Sequence, residues 1–209
     1  MKYKLSYQNF VIASILCIVS AIVLFIINTA LGNIPFFLLL NHDFGTIGDA
    51  VFAFITHLGE EAPWIIIGVM ILIFRRPYFP LVLFACLIST LLAQGIKNVL
   101  PEQVRPSKAI TDASLYHSVK GVVLHTVNSF PSGHTTTAFT VFLLCCLFIH
   151  KKWIIPVGFA YALAVGYSRI YLAQHFPKDV AGGMLVAVIS VCFAVALQQI
   201  IVNKFYTKR

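Results

Sequence analysis

The stretch FVIASILCIVSAIVLFIINTAL, residues 10–31, runs for 22 residues without a charged side chain. An α-helix needs about 20 residues to cross the hydrocarbon core of a bilayer, so this segment reads as a membrane helix. Lys2 and Lys4 precede it, as basic residues precede a secretory leader. The apolar run is nevertheless longer than a usual leader core, and no convincing cleavage site follows. The expectation is that the segment stays attached.

The rest of the chain repeats the pattern. Hydrophobic residues make up 59% of the 209 residues, charged residues 11%, and mean hydropathy is +0.90, far from soluble averages. Charges collect between apolar runs, which predicts six spans at roughly 10–31, 50–74, 79–97, 133–150, 153–169 and 180–202. No internal repeat or linker divides the chain, so residues 1–209 are expected to form one all-α, polytopic bundle. Cys17, Cys86, Cys145, Cys146 and Cys192 all fall inside spans, with neither metal-ligand nor disulfide spacing. The net charge of +8 lies in short basic pairs beside apolar helices. That distribution argues against a nucleic-acid partner and for anionic lipid headgroups.

Six spans place both termini on one side, together with nine of the fifteen basic residues: Lys2, Lys4, Arg75, Arg76, Lys151, Lys152, Lys204, Lys208 and Arg209. Because cytoplasmic loops collect Lys and Arg, the termini are expected in the cytoplasm. The longest connection, Asn98 to Pro131, then lies outside, and a loop of that length in a compact bundle usually serves function. Within it, Leu115, Val119, Val122 and Val123 suggest a short helix on the membrane surface.

Three outer-side segments carry the polar chemistry. In the first, Lys97 ends the third span and Arg105-Pro106 follows in the loop. Lys offers a mobile point charge and Arg a planar fork, a combination suited to a phosphoryl group, although an interfacial anchor and a solvated Arg would look the same. The second is Pro131-Ser132-Gly133-His134, ahead of the fourth span. Ser132 is a natural N-cap, Gly133 permits close backbone approach, and the helix N-terminus favours an anion; an ordinary capping turn fits equally. The third runs from Ser168-Arg169 to His175 and Asp179. Arg169 alone could snorkel and His175 alone could be interfacial. A carboxylate near an imidazole, however, holds one tautomer and offsets the charge that appears when the other nitrogen attacks.

Together these segments resemble the signature of the type 2 phosphatidic acid phosphatase family, membrane lipid phosphatases related to vanadium haloperoxidases. The signature is a Lys followed by Arg-Pro, then Pro-Ser-Gly-His, then Ser-Arg followed after five intervening residues by His, with Asp four further on. The second and third segments match. The first departs, with seven residues between Lys97 and Arg105 where the family usually has six, which bears on the placement of Lys97. The resemblance implies a phosphohistidine at His175, oriented by Asp179, with His134 protonating the leaving oxygen and then activating water. It implies that Lys97, Arg105, Arg169, Ser132 and Gly133 hold the phosphate oxygens, without metal or cofactor. Implied substrates are undecaprenyl diphosphate, phosphatidylglycerol phosphate, phosphatidic acid or lipid A phosphates, at the periplasmic face of a bacterial inner membrane. The competing readings are a phosphotransferase on the same scaffold and a headgroup-binding or transport protein without catalysis.

Glu60 and Glu61 stand within or at the outer end of the second span, where carboxylates are costly. They read as an interfacial turn or as a headgroup filter, with no catalytic role. His42, His57, His117, His125 and His150 show no ligand spacing, so no zinc site is expected. The Phe36–Leu40 run reads as lipid-facing or core packing.

Overall fold

The computed structural model describes residues 4–206, with side chains through residue 200. Lys2, Lys208 and Arg209, counted above for orientation, lie outside the described residues. Among those residues the chain is all helical, without strands. In order come α1 (Tyr7–Leu31), α2 (Asn33–Leu40), α3 (Gly45–His57), α4 (Ala62–Phe74) and α5 (Phe79–Val99). A short α6 (Pro106–Ala109) opens the long loop, and α7 (Gly133–Phe148), α8 (Ile154–Tyr171) and α9 (Pro177–Tyr206) follow it.

By length and composition, α1, α5, α8 and α9 can each cross a bilayer, and α3 with α4 is a pair bent by 46° that together is long and apolar enough for one more. The single span expected over 50–74 is therefore corrected to two helices. Gly59 N and Glu60 N bond three residues back, to Thr56 O and His57 O, so the helix tightens into a turn. Pro63 then sits in the first turn of α4, where its missing N–H costs nothing. The fourth expected span, 133–150, is α7, which at 16 residues falls short of a full crossing. It need not reach lipid, because it is buried on nearly every side. Its last carbonyls are met inside the protein: Ser6 N donates to Leu147 O at 2.7 Å, Arg75 to Phe148 O at 2.8 Å and Asn9 Nδ2 to Ile149 O at 2.8 Å.

Helix α9 is the centre of the bundle and packs against α1, α5 and α7, while α8 packs on α7 and α3. Ala13, Cys17 and Ala21 form a fully buried stripe on α1, small enough for backbones to approach. Val11, Ile15, Val19, Ile22 and Ile26 on its other side are exposed, the pattern of a lipid-facing surface. The surface helix expected around Leu115–Val123 does not form. One 3-10 turn at Ala113–Leu115 is followed by a turn closed by Val122 N to Val119 O, and Gly121, at φ +87°, breaks any helical run. Phe36 and Phe37 of α2 are core residues, and the Phe37 ring meets Phe176 edge-on at 5.6 Å. That contact braces the segment carrying the third motif.

Candidate active site

The turn between α8 and α9 positions His175. Ala173 adopts φ +52° and reverses the chain, so that Gln174 N and His175 N both donate to Arg169 O, at 2.9 and 3.1 Å. Pro177 then starts α9, bringing Asp179 one turn beyond His175. His175 is 2% exposed, and its Nδ1 lies 3.5 Å from Asp179 Oδ2, an ion-pair separation too long for a good hydrogen bond. The same Oδ2 accepts from Ser129 Oγ at 2.5 Å and Phe176 N at 2.9 Å, which fixes the carboxylate. Burial, then the charges of Arg105, Arg169 and Lys97, push the His175 imidazole well below its ordinary 6.5. A ring so placed is neutral at neutral pH and keeps a lone pair.

The three cations are brought together, but in different states. Arg169 is buried, donates to Thr56 Oγ1, and leaves its Nε–H buried without a protein partner. A buried donor without a partner is costly, and an anionic oxygen would satisfy it. Arg105 is also buried, yet most of its fork is in use. Its Nε donates to Val127 O at 2.8 Å, one terminal nitrogen to Gln174 O and Oε1 at 3.1 and 3.2 Å, and the other to Asn128 O at 3.4 Å. It clamps the loop to the His175 turn. Lys97 sits in the last turn of α5, makes no hydrogen bond or ion pair with described residues, and is near enough to Arg105, Asp179 and Arg169 for their charges to act on it. Between α5 and Arg105, residues 101–105 form no helix.

Ser132 caps α7, its Oγ accepting from Thr135 N at 3.4 Å and from Thr135 Oγ1 at 2.9 Å, and the residue is fully buried. Its N–H donates to Asp179 O at 2.9 Å, tying the second motif to the third. A Cβ on Gly133 would meet nothing within 4 Å, so this backbone faces open space. Gly183 of α9 is the reverse case: a Cβ there would stand 2.8 Å from Ser132 O and 2.9 Å from Thr135 Cβ. The turn rests on bare α9 backbone.

Two cavities meet at His134 and Glu60. One, of about 380 Å³, lies between α4, α5 and α7 and is lined by Trp64, Ala93, Lys97 and Gly133. The other, of about 490 Å³, lies beneath the long loop and is lined by Lys120, His125, Arg169 and Gln174. His175 stands on the wall of neither. Two cavities sharing one histidine suit a substrate with an apolar body on one side and a charged head on the other.

Sequence reasoning missed Thr56, Ser129 and Gln174, which hold Arg169, Asp179 and Arg105. Each is an ordinary polar residue far from its partner in the chain, and nothing in local spacing marks it. It also missed a group joined only by folding: ligand atoms of Asp43, Asp49 and His117 lie within 4.8 Å of one another. His117 Nε2 and Tyr171 Oη both bond Asp49 Oδ1, at 2.9 and 2.7 Å, which fastens the loop to α3 and the end of α8.

The fold and site define a class: an integral membrane protein carrying a cationic pocket beside a buried histidine–carboxylate pair. The chain belongs to the PAP2 superfamily, whose family model matches residues 79–203. It is 27% identical over 154 residues to the undecaprenyl-diphosphatase of Sulfolobus acidocaldarius, covering 73% of this chain and 72% of that one. It is 31% identical over 142 residues to phosphatidylglycerophosphatase B of Bacillus subtilis, covering 62% and 64%. The crystal structure of Aquifex aeolicus LpxE superposes with a TM-score of 0.66 at 28% identity, over 78% of this chain and 94% of that one. A transmembrane PAP2-type phosphatidylglycerolphosphate phosphatase from Bacillus subtilis superposes with a TM-score of 0.64 at 21% identity, over 96% and 99%, and shows the shared fold. The protein is an enzyme that hydrolyses phosphate esters of membrane lipids.

Proposed function

We propose that residues 1–209 act as one membrane phosphatase domain that cleaves a phosphate monoester or diphosphate from a lipid through a phosphohistidine at His175. The observation that carries this reading is the buried, neutral His175 with its Nδ1 toward Asp179 and Arg169, Arg105 and Lys97 around it. His175 Nε2 attacks phosphorus, and Asp179 stabilises the positive charge that spreads to Nδ1; the 3.5 Å separation shortens as that charge grows. Arg169 supplies its unused Nε–H, Lys97 its free ammonium, and the Gly133 amide the α7 N-terminus, to the equatorial oxygens. Arg105 adds charge while holding Gln174. Ser132, whose Oγ accepts from Thr135 N and Oγ1, shapes the turn and keeps its own O–H to donate to the phosphate. His134 protonates the leaving oxygen, then takes the proton of the attacking water. The three cations balance the phosphate charge, so turnover proceeds without a metal.

The phosphate sits where the two cavities meet at His134, between Arg169 of the 490 Å³ cavity and Lys97 and Gly133 of the 380 Å³ cleft, and the lipid runs along that cleft beside Trp64 and Ala93. The undecaprenyl-diphosphatase and phosphatidylglycerophosphatase relatives favour undecaprenyl diphosphate and phosphatidylglycerol phosphate within the panel named above. Purified protein given those two lipids, phosphatidic acid and lipid A should release inorganic phosphate from at least one in water. Phosphate recovered only on an added alcohol would establish a transferase instead, and no release from any lipid would contradict the assignment.

In the same reading the active site faces the periplasm of a bacterial inner membrane and both termini face the cytoplasm. Arg75 and Lys151 lie at the α7 C-terminus, opposite the site. An impermeant thiol reagent applied outside should label Lys120→Cys and spare Lys152→Cys; the reverse would invert the orientation.

A further inference from the structure

Among the described residues, Glu60 is the one carboxylate that reaches His134. Its Oε1 lies 3.3 Å from His134 Nε2, and its Oε2 lies 2.9 Å from His57 Nδ1. The two oxygens are thus held from opposite sides, one by the half-buried ring at the mouth of α7 and one by His57, whose side chain is 66% exposed. Gly59, just before Glu60, could not be larger: a Cβ there would stand 2.9 Å from both Cβ and O of His134. The α3–α4 break therefore presses directly on His134. It is the point where the two cavities join.

We infer that Glu60 is the positioning residue of His134, fixing Nε2–H toward itself and leaving Nδ1 as the nitrogen that exchanges protons with substrate and water. The inference rests on the acid–base role of His134 proposed above. In the first half-reaction the proton on Nδ1 passes to the leaving oxygen as the P–O bond breaks, and the N–H electron pair stays on Nδ1. Nε2–H keeps donating to Glu60, whose charge does not change. In the second, Nδ1 takes the proton of the water that attacks phosphohistidine. The site then contains two histidine–carboxylate pairs, His175 with Asp179 and His134 with Glu60, for the nucleophile and the acid–base.

An anion matters there because burial first, and then the charges of Arg169 and Arg105, disfavour a protonated His134 ring. Lys97 and Glu61 share its cleft wall, while His57, His125 and Lys120 line the cavity on its other side. Against that balance, the Glu60 carboxylate is the group that favours the protonated ring.

The test compares wild-type protein with Glu60→Gln, which preserves shape and removes charge, and with His134→Ala. Each is assayed across pH on two substrates, the lipid of the panel turned over fastest and p-nitrophenyl phosphate, whose leaving group needs no proton. For Glu60→Gln, kcat on the lipid should fall tenfold or more with KM changed less than about threefold, and the alkaline limb should move down by about one pH unit. The p-nitrophenol burst, which reports only the first half-reaction and needs no proton from His134, should change less than about threefold. If Glu60→Gln slows that burst as much as the lipid reaction, or leaves the lipid rate and alkaline limb unchanged, the inference is overturned. If His134→Ala itself leaves the lipid reaction unaffected, the role of His134 fails, and the two failures are told apart.

Discussion

Arg169 and Lys97 are both cations at the outer end of a helix, yet burial gives them different weight. Arg169 is anchored through Thr56 and carries an unused, buried Nε–H, so its guanidinium is preorganised for an anion. Lys97 is half-buried and unanchored, and must order its side chain when substrate binds. Arg169→Ala should therefore lower kcat about a hundredfold or more, in the range of a lost preorganised donor. Lys97→Ala should cost about tenfold, much of it in KM. Measuring both variants in one assay decides the order, and equal losses would contradict it. At this scale much was legible beforehand, because Lys97, Arg105, Ser132, His134, Arg169, His175 and Asp179 lie in three short segments with recognisable chemistry. What was not legible is the state of each donor. The spacing says that Arg105 is present but not that Val127, Asn128 and Gln174 already occupy its fork.

The elements carry the site by close packing more than by length. α7 is too short to span a membrane alone, and the turn at its head is held against α9 where Gly183 has no side chain. Gly183→Ala should push Ser132 O and Thr135 away from α9, costing roughly 1–3 kcal/mol in overpacking and shifting His134. A lowered melting temperature in detergent, with activity falling further than the folded fraction, is the expected result; an unchanged melt would show that the turn can yield. Apolar periodicity placed α1, α5, α8 and α9 within a few residues of their ends. It failed at 50–74, because the apolar runs on either side of Gly59-Glu60-Glu61 were joined into one span across an interruption that also breaks the helix. The Gly59 and Pro63 signals were present there, but the carboxylates beside them read as an interfacial feature. The break is what delivers Glu60 to His134, 74 positions apart, and a pairing of that separation leaves no trace in local pattern.

For the molecule as a whole, a helical bundle with α9 at its centre joins a cleft of mixed lining, open between α4, α5 and α7, to a charged cavity under a stitched loop. Composition alone established the membrane setting. The junction of the two cavities at one histidine needed the fold. The central claim is that the phosphoryl group passes through His175, and trapping it is the most direct test. His134→Ala should still be phosphorylated by p-nitrophenyl phosphate, since that leaving group needs no acid, but should hydrolyse the intermediate slowly. Quenched in alkali, where phosphohistidine survives, and digested for mass spectrometry, this protein should carry one phosphate on His175, and the label should vanish in the His134→Ala, His175→Ala double variant. A phosphate found on another residue, or p-nitrophenol released at wild-type rate with no phosphoenzyme in either protein, would contradict the account.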